Sequence, residues 1–338
     1  MGNGSITDDP SLYYHANPQF RRYRKHLHVN FRTPTAHQLF FSDSSPEERE
    51  RLETRFFVSL RLPGNGTYKT TYHRRLDDLN ELVLRHLPST RPLQIMDVAV
   101  SSGISTAEWT MRLREAGVAH RMVAGDLVVR AFLIEVSKRF RVLVDRNGRL
   151  LQVDVNGSGI CVPDILAAYT HPRRLWALVR DLPMLVAGFV VSAAAGPAVR
   201  SSSSRPGKTL GMQYRPLDLV SSALSSLPDV QIIEDDILAG APTETVDVLR
   251  AANILNKGYF DEDILEQMVR NLRRRLRPGG LMIVCNTDYN EGFDYGRMDY
   301  GGMNNASLFR LDADGRFVVQ ARLNAGSEIE GLVLRTRA

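Results

Sequence analysis

From residue 93 onward, short apolar runs alternate with longer stretches patterned like helices. Leu93–Val100 is almost wholly apolar, as a strand buried on both faces should be. Thr106–Ala116 follows as a helix and stops at Gly117, which suits a left-handed cap. Arg121–Asp126 reads as a second strand ending in an acid, and Ala131–Phe140 as a helix. Val230–Asp236 reads as a third strand, again closed by acids, and Val246–Leu249 as a fourth. Across Asp261–Leu276, residues Ile264, Leu265, Met268, Leu272 and Leu276 share one side, the spacing of an amphipathic helix. Pro278-Gly279-Gly280 ends it, and Leu281–Cys285 is the fifth strand. Asp312–Arg316, between two apolar runs, predicts a β-hairpin. Together these elements predict an α/β fold. Its sheet is doubly wound and mostly parallel, with an antiparallel hairpin at one edge.

The flanks break this rhythm. Residues 1 to 45 are polar and aromatic and predict an irregular arm. Ser44-Ser45-Pro46-Glu47-Glu48 has the pattern of a capped helix start, Pro63–Gly66 that of a turn, and Tyr72–His86 that of a helix. We read 1–90 as an N-terminal arm and helical lid, 91–140 with 229–338 as the core, and 141–228 as an insertion. The last follows from length: Phe140 and Val230 are 90 positions apart, against roughly 2–6 residues for an ordinary loop between helix and strand. The insertion opens with a hairpin over Arg141–Asp154, turned at Asn147-Gly148. An apolar stretch follows, and Ser201–Lys208 reads as a polar tether.

The joint after the first core strand holds the chemistry. Asp97, Ala99, Ser101 and Gly103 place an acid and then three small residues at alternate positions, just ahead of a helix. Small side chains let a ligand approach the backbone closely, and glycine accepts unusual φ. A dinucleotide site would want G-x-G-x-x-G, which this turn lacks. Asp126 closes the next strand about twenty residues on, where a carboxylate can accept bonds from sugar hydroxyls. Asp235 and Asp236 close the third strand, and Asn253 follows the fourth.

This ordered set resembles class I S-adenosylmethionine-dependent methyltransferases. The run Arg277-Pro278-Gly279-Gly280 is the most family-typical segment, and the stretch from Arg250 to Phe260 is mildly similar to chemotaxis-receptor carboxyl methyltransferases. The resemblance covers residues 93–140 and 230–286 and departs from the family where Ala99 and Ser101 replace glycines. It implies a Rossmann-like core and S-adenosyl-L-methionine as cofactor. It places cofactor contacts at Asp97, Ala99, Ser101 and Gly103, at Asp126 with Leu127, at Asp235 and Asp236 with Ile237, and at Asn253. Tyr68 and Tyr72 resemble the N-terminal arm residues that cap the cofactor in many relatives and are taken as substrate-site candidates. The loop after the fifth strand, rich in aromatics and acids, adds Tyr295 as a substrate candidate and Asp288 and Tyr289 as catalytic candidates.

Composition narrows the partners. The charge of +5 is mild, and its clusters, such as Arg21-Arg22-Tyr23-Arg24-Lys25, are compatible with a solvated surface, so nucleic acid is not expected. Two distant cysteines, Cys161 and Cys285, form no disulfide framework and predict a reducing compartment. The polar N-terminal stretch predicts no secretory signal. His73, His86, His120 and His171 show no metal-ligand spacing. Leu182–Gly196 is uncharged over fifteen residues, short of the roughly 20 that span a bilayer. It reads either as a buried lid or as a peripheral membrane contact through 175–196, flanked by Arg173, Arg174, Arg200 and Arg205. The expectation is a cytoplasmic methyltransferase, peripheral to the inner membrane face if that contact forms, acting on a small lipophilic acceptor at a carboxylate or hydroxyl. Two alternatives stay open. One is a nucleic-acid methyltransferase, although no Asn/Asp-Pro-Pro-Tyr/Phe or Pro-Cys motif is present. The other is a non-catalytic cofactor-binding or scaffold protein of the same fold.

Overall fold

The structure, a computed structural model, describes residues 33–62, 69, 73–88, 91–162, 172–202, 205–239, 244–289 and 302–336. The elements begin with α1 (Ala36–Phe41), α2 (Pro46–Ser59), α3 (Asp77–Leu84), β1 (Leu93–Val98), α4 (Ile104–Glu115) and β2 (His120–Asp126). They continue with β3 (Arg130–Ser137), β4 (Phe140–Asp145), β5 (Leu150–Val155), β6 (Ser158–Cys161), α5 (Pro172–Ser201), β7 (Gly207–Thr209) and β8 (Met212–Asp218). The last group is α6 (Ser222–Ser225), β9 (Val230–Glu234), β10 (Val246–Ala252), α7 (Glu262–Arg274), β11 (Leu276–Tyr289), β12 (Gly302–Leu311), β13 (Phe317–Leu323) and α8 (Glu330–Arg335). Two compact units emerge. One contains residues 28–71 and 128–219, the other 72–127 and 220–338.

The second unit is the expected doubly wound, Rossmann-like sheet. Its seven strands run in the order β13-β12-β11-β10-β1-β2-β9. β9, β2, β1, β10 and β11 are parallel, and β12 and β13 add the antiparallel hairpin at one edge. Period-2 alternation sends β1 side chains to opposite faces. Leu93 and Ile95 pack with Val248 on β10, Leu79 and Val83 on α3, and Trp109 and Leu113 on α4. Met96 and Val98 pack with Leu249, Met282 and the apolar side of α7. That helix buries Leu265, Met268, Val269 and Leu272, which contributes roughly 6–12 kcal/mol of gross hydrophobic stabilisation.

At the amino end of the sheet, Asp247 of β10 binds Arg91 at 2.5 Å, Arg277 at 3.0 Å and the Gln94 N–H at 2.8 Å. Burial pushes this carboxyl's pKa up, but those partners outweigh it and hold the pKa below the ordinary value. A lowered folded pKa stabilises the fold above the unfolded carboxylate range and loses that stability as pH falls through the folded value. Both arginines are partly solvated, so Asp247→Asn should cost only about 1–2 kcal/mol at neutral pH. Urea unfolding of both proteins should show this gap closing below about pH 4.

The first unit is a six-stranded antiparallel sheet in the order β6-β5-β4-β3-β8-β7. α1 and α2 cover one face through Leu39, Phe56, Phe57 and Leu60, and α5 covers the other through Leu185, Ala195 and Val199. Ser45 caps α2, its hydroxyl accepting from the Glu48 N–H at 3.2 Å. The β4–β5 hairpin forms around Asn147-Gly148 as expected, with Phe140 opposite Val155.

Several expectations need correction. Ala131–Phe140 is not helical: Arg130–Ser137 forms β3, paired with β4 and β8. Its β-branched and aromatic residues, Phe132, Ile134 and Val136, fit a pleated surface, and the inserted unit therefore starts at Val128 rather than 141. The tether expected at Ser201–Lys208 is not a free coil throughout, since Gly207–Thr209 pairs with β8. The arm contains a helix, α1, closed by a reciprocal capping box between Thr35 and Gln38. The helix expected over Tyr72–His86 is confined to Asp77–Leu84. The apolar stretch belongs to a 30-residue helix. The Pro63–Gly66 turn lies outside the described residues.

Candidate functional site

β1 has β2 on one side and β10 on the other, so the strand order reverses there. In open α/β sheets the ligand crevice lies beyond the carboxyl ends of the strands at such a switch point. The turn from Val98 to Ile104 fills that position. Three of its residues are left-handed: Ala99 at φ 55°, Ser101 at 61° and Gly103 at 81°. These are the alternate positions picked out by the sequence. The backbone thus takes a glycine-type path although two residues have a Cβ, each costing about 1–2 kcal/mol. Ala99→Gly and Ser101→Gly are therefore expected to raise stability by roughly 0.5–1 kcal/mol each, after the unfolded-chain entropy of glycine is offset. Thermal unfolding checks this, and a fall of the same size would mean the turn is not left-handed.

Hydrogen bonds hold the turn against the end of β2. The Ser101 N–H donates to Asp126 Oδ2 at 2.7 Å, and the Val100 N–H to the Gly125 carbonyl at 3.1 Å. The Asp235 N–H donates to the Asp126 carbonyl at 2.9 Å, joining the ends of β2 and β9. Gly103 starts α4 without a side-chain cap. A Cβ there would sit 2.3 Å from Leu224 Cδ2 of α6. Leu127 follows Asp126 with its side chain 40% exposed, while Ile237 is buried. Asp236 is exposed and accepts from the Leu238 N–H at 2.9 Å.

The other expected contacts are bound up within the fold. Asp97 accepts from Arg250 Nη2 at 2.5 Å, Arg250 Nε at 3.0 Å and the Thr106 hydroxyl at 2.7 Å. Arg250 stands opposite Asp97 in the β1–β10 register. Its guanidinium lies 4.1 Å over the Trp109 ring, a cation–π contact, and reaches Asn80 Oδ1 at 3.1 Å. Asp235 is paired at 2.5 Å with Arg275, which is wholly buried. Asn253, left-handed at φ 60°, accepts from the Thr287 N–H at 2.6 Å and donates to its hydroxyl at 3.1 Å, tying β10 to β11. Asp288 accepts from Asn305 Nδ2 at 2.7 Å. Tyr68, Tyr72, Tyr295 and the Tyr289 side chain lie outside the described residues.

The structure thus gathers Ala99, Ser101, Gly103, Asp126 and Asp236 at one end of the sheet, and turns Asp97, Asp235 and Asn253 to internal work. Arg250, Arg275 and the buried amides Asn304 and Asn305 were not anticipated. An arginine inside the buried strand Val246–Ala252, which is apolar apart from it and Asp247, was the signal for the first. Burial pushes the Cys285 thiol up to about 12, so it is no nucleophile at neutral pH. His73, His86 and His120 contact Glu108, the Leu82 carbonyl and the Val118 carbonyl.

The sheet order and the left-handed turn define the second unit as a Rossmann-like domain with a ligand-type βα joint. No protein-family model and no curated protein matches the sequence. Solved structures do. The citrinin polyketide synthase CMeT domain is 13% identical over 75% of this chain and 42% of its own, with a TM-score of 0.32. An O-methyltransferase family protein from Burkholderia thailandensis is 11% identical over 86% of this chain and 57% of its own, with a TM-score of 0.31. The [4+2]-cyclase SpnF is 12% identical over 67% of this chain and 50% of its own, with a TM-score of 0.28. The chain spans less than two thirds of each of these proteins.

Proposed function

We propose that the second unit binds S-adenosyl-L-methionine and methylates a small lipophilic acceptor at a carboxylate or hydroxyl oxygen. The observation that carries this reading is the left-handed backbone at Ala99, Ser101 and Gly103, pinned by Ser101 to Asp126. The residues fit the cofactor. The turn presents small residues at its alternate positions Ala99, Ser101 and Gly103, Asp126 is a carboxylate suited to sugar hydroxyls, and Leu127 supplies exposed apolar surface just beyond β2. When bound, the cofactor supplies an electrophilic methyl group.

The chain's own task is to bind, align and exclude water. A carboxylate acceptor already carries the lone pair the reaction needs, so no general base is required. That matches Asp288, whose carboxylate is held by Asn305 rather than poised alone. The experiment is incubation with methyl-labelled S-adenosylmethionine and a lipid extract. Label moving into an extractable acid or ester supports the reading. Label moving into added RNA instead, with a steep salt dependence, would replace it. A second reading, a cofactor-binding or scaffold protein, draws on the internal pairing of Asp97, Asp235 and Asn253. It predicts cofactor binding with no label transferred to any fraction.

A further inference from the structure

α5 has two unlike faces. Leu185, Ala195 and Val199 are buried in one cluster with Phe132, Val144 and Leu150 of the antiparallel sheet. Elsewhere on the helix, Val179, Leu182, Val186, Phe189 and Val190 stand 49–64% exposed. Their spacing of three and four residues lines them along one side of a helix, over a length of about 16 Å. The stretch Val179–Ser201 is long and apolar enough to cross a membrane by length and composition. The buried face is committed to the sheet, so the geometry favours a helix lying flat.

Charge selects what covers the stripe. Residues 128–219 hold thirteen Lys and Arg against six Asp and Glu, a net of +7, whereas the whole chain carries +5. Between Pro172 and Leu210, Arg173, Arg174, Arg180, Arg200, Arg205 and Lys208 accompany a single acid, Asp181. Asp181 is buried and takes the Arg180 guanidinium at 2.8 Å. Among the described residues of 128–219, the other buried acids, Asp145 and Asp154, are occupied by Arg149 and Arg141. The Asn147-Gly148 turn abuts the helix, where the Ser192 hydroxyl donates to the Gly148 carbonyl and Arg200 to the Asn147 carbonyl. That contact brings Arg146, on the same turn, close to the helix. A second copy of the chain would set one cationic unit against another, whereas an anionic lipid surface complements it.

We propose that α5 is a peripheral membrane-binding helix. Its Val179–Val190 stripe enters the acyl boundary of an anionic bilayer, and the flanking arginines meet the headgroups. This rests on the first unit alone and is independent of methyl transfer. The test is flotation of the full chain with vesicles of phosphatidylcholine, with and without phosphatidylglycerol. Binding is expected only to the anionic vesicles, weakening as salt rises. The variant Val186→Glu/Phe189→Glu alters two exposed positions, so circular dichroism and melting should be unchanged while the bound fraction falls by roughly tenfold or more. Three outcomes would overturn the proposal: no flotation of the parent protein at low salt, equal flotation of parent and variant, or a lipid-free dimer in light scattering that the variant dissolves.

Discussion

Arg250→Met is expected to destabilise the second unit by about 3–5 kcal/mol, the usual cost of leaving a buried charge without its partner. Asp97 and Arg250 are both almost wholly buried, at 3% and 1% exposure. Methionine fills much of the volume and can still lie against Trp109, but among the described residues it leaves the Asp97 carboxylate with the Thr106 hydroxyl as its one side-chain partner. For a unit of this size the unfolding transition should drop by roughly 10 °C. Asp97→Asn in the same chain removes the stranded charge and should restore part of the loss. Differential scanning calorimetry of the two variants decides the matter. An unchanged transition in Arg250→Met would mean the pair is not formed.

Gly103→Ala is the second large effect. At φ 81° any Cβ is strained by about 1–2 kcal/mol. The new methyl also meets Leu224 Cδ2 at 2.3 Å, an overpacking that adds roughly 1–3 kcal/mol. Leu224 is fully buried, so it has little room to turn away. Leu224→Ala alone should cost about 2–5 kcal/mol through the cavity it leaves. Combined with Gly103→Ala, it should cost at least about 1 kcal/mol less than the two single changes together, because the Cδ2 clash is removed and only the 3.1 Å approach to Cβ stays. Strict additivity in urea unfolding would show that Gly103 and Leu224 are not in contact.

These two sites show why some of the molecule was legible in sequence and some was not. The parallel strands β1, β2, β10 and β11 were readable because burial on both faces favours apolar runs. The joint at Asp97–Gly103 was readable because small residues at alternate positions mark a left-handed turn, even with alanine and serine in place of glycine. What single-chain reading could not supply was pairing across strands. Asp97 looks like a ligand contact until β10 places Arg250 opposite it. Asp235 looks the same until Arg275 arrives from the end of α7. β3 was misread because a short apolar run has no length with which to separate strand from helix. The pattern within α5 was apparent in sequence as greasiness, but only the packed sheet distinguishes its buried side from the stripe left exposed.

Titration calorimetry shows directly whether the turn and Asp126 form a site for S-adenosyl-L-methionine. The full chain should bind the cofactor at one site per molecule. Asp126→Asn keeps an oxygen for the Ser101 N–H but loses the charge offered to sugar hydroxyls, so it should weaken binding by roughly tenfold or more without lowering the unfolding temperature. No heat of binding in the unaltered protein at millimolar cofactor, or equal affinity in the Asp126→Asn variant, would contradict the account.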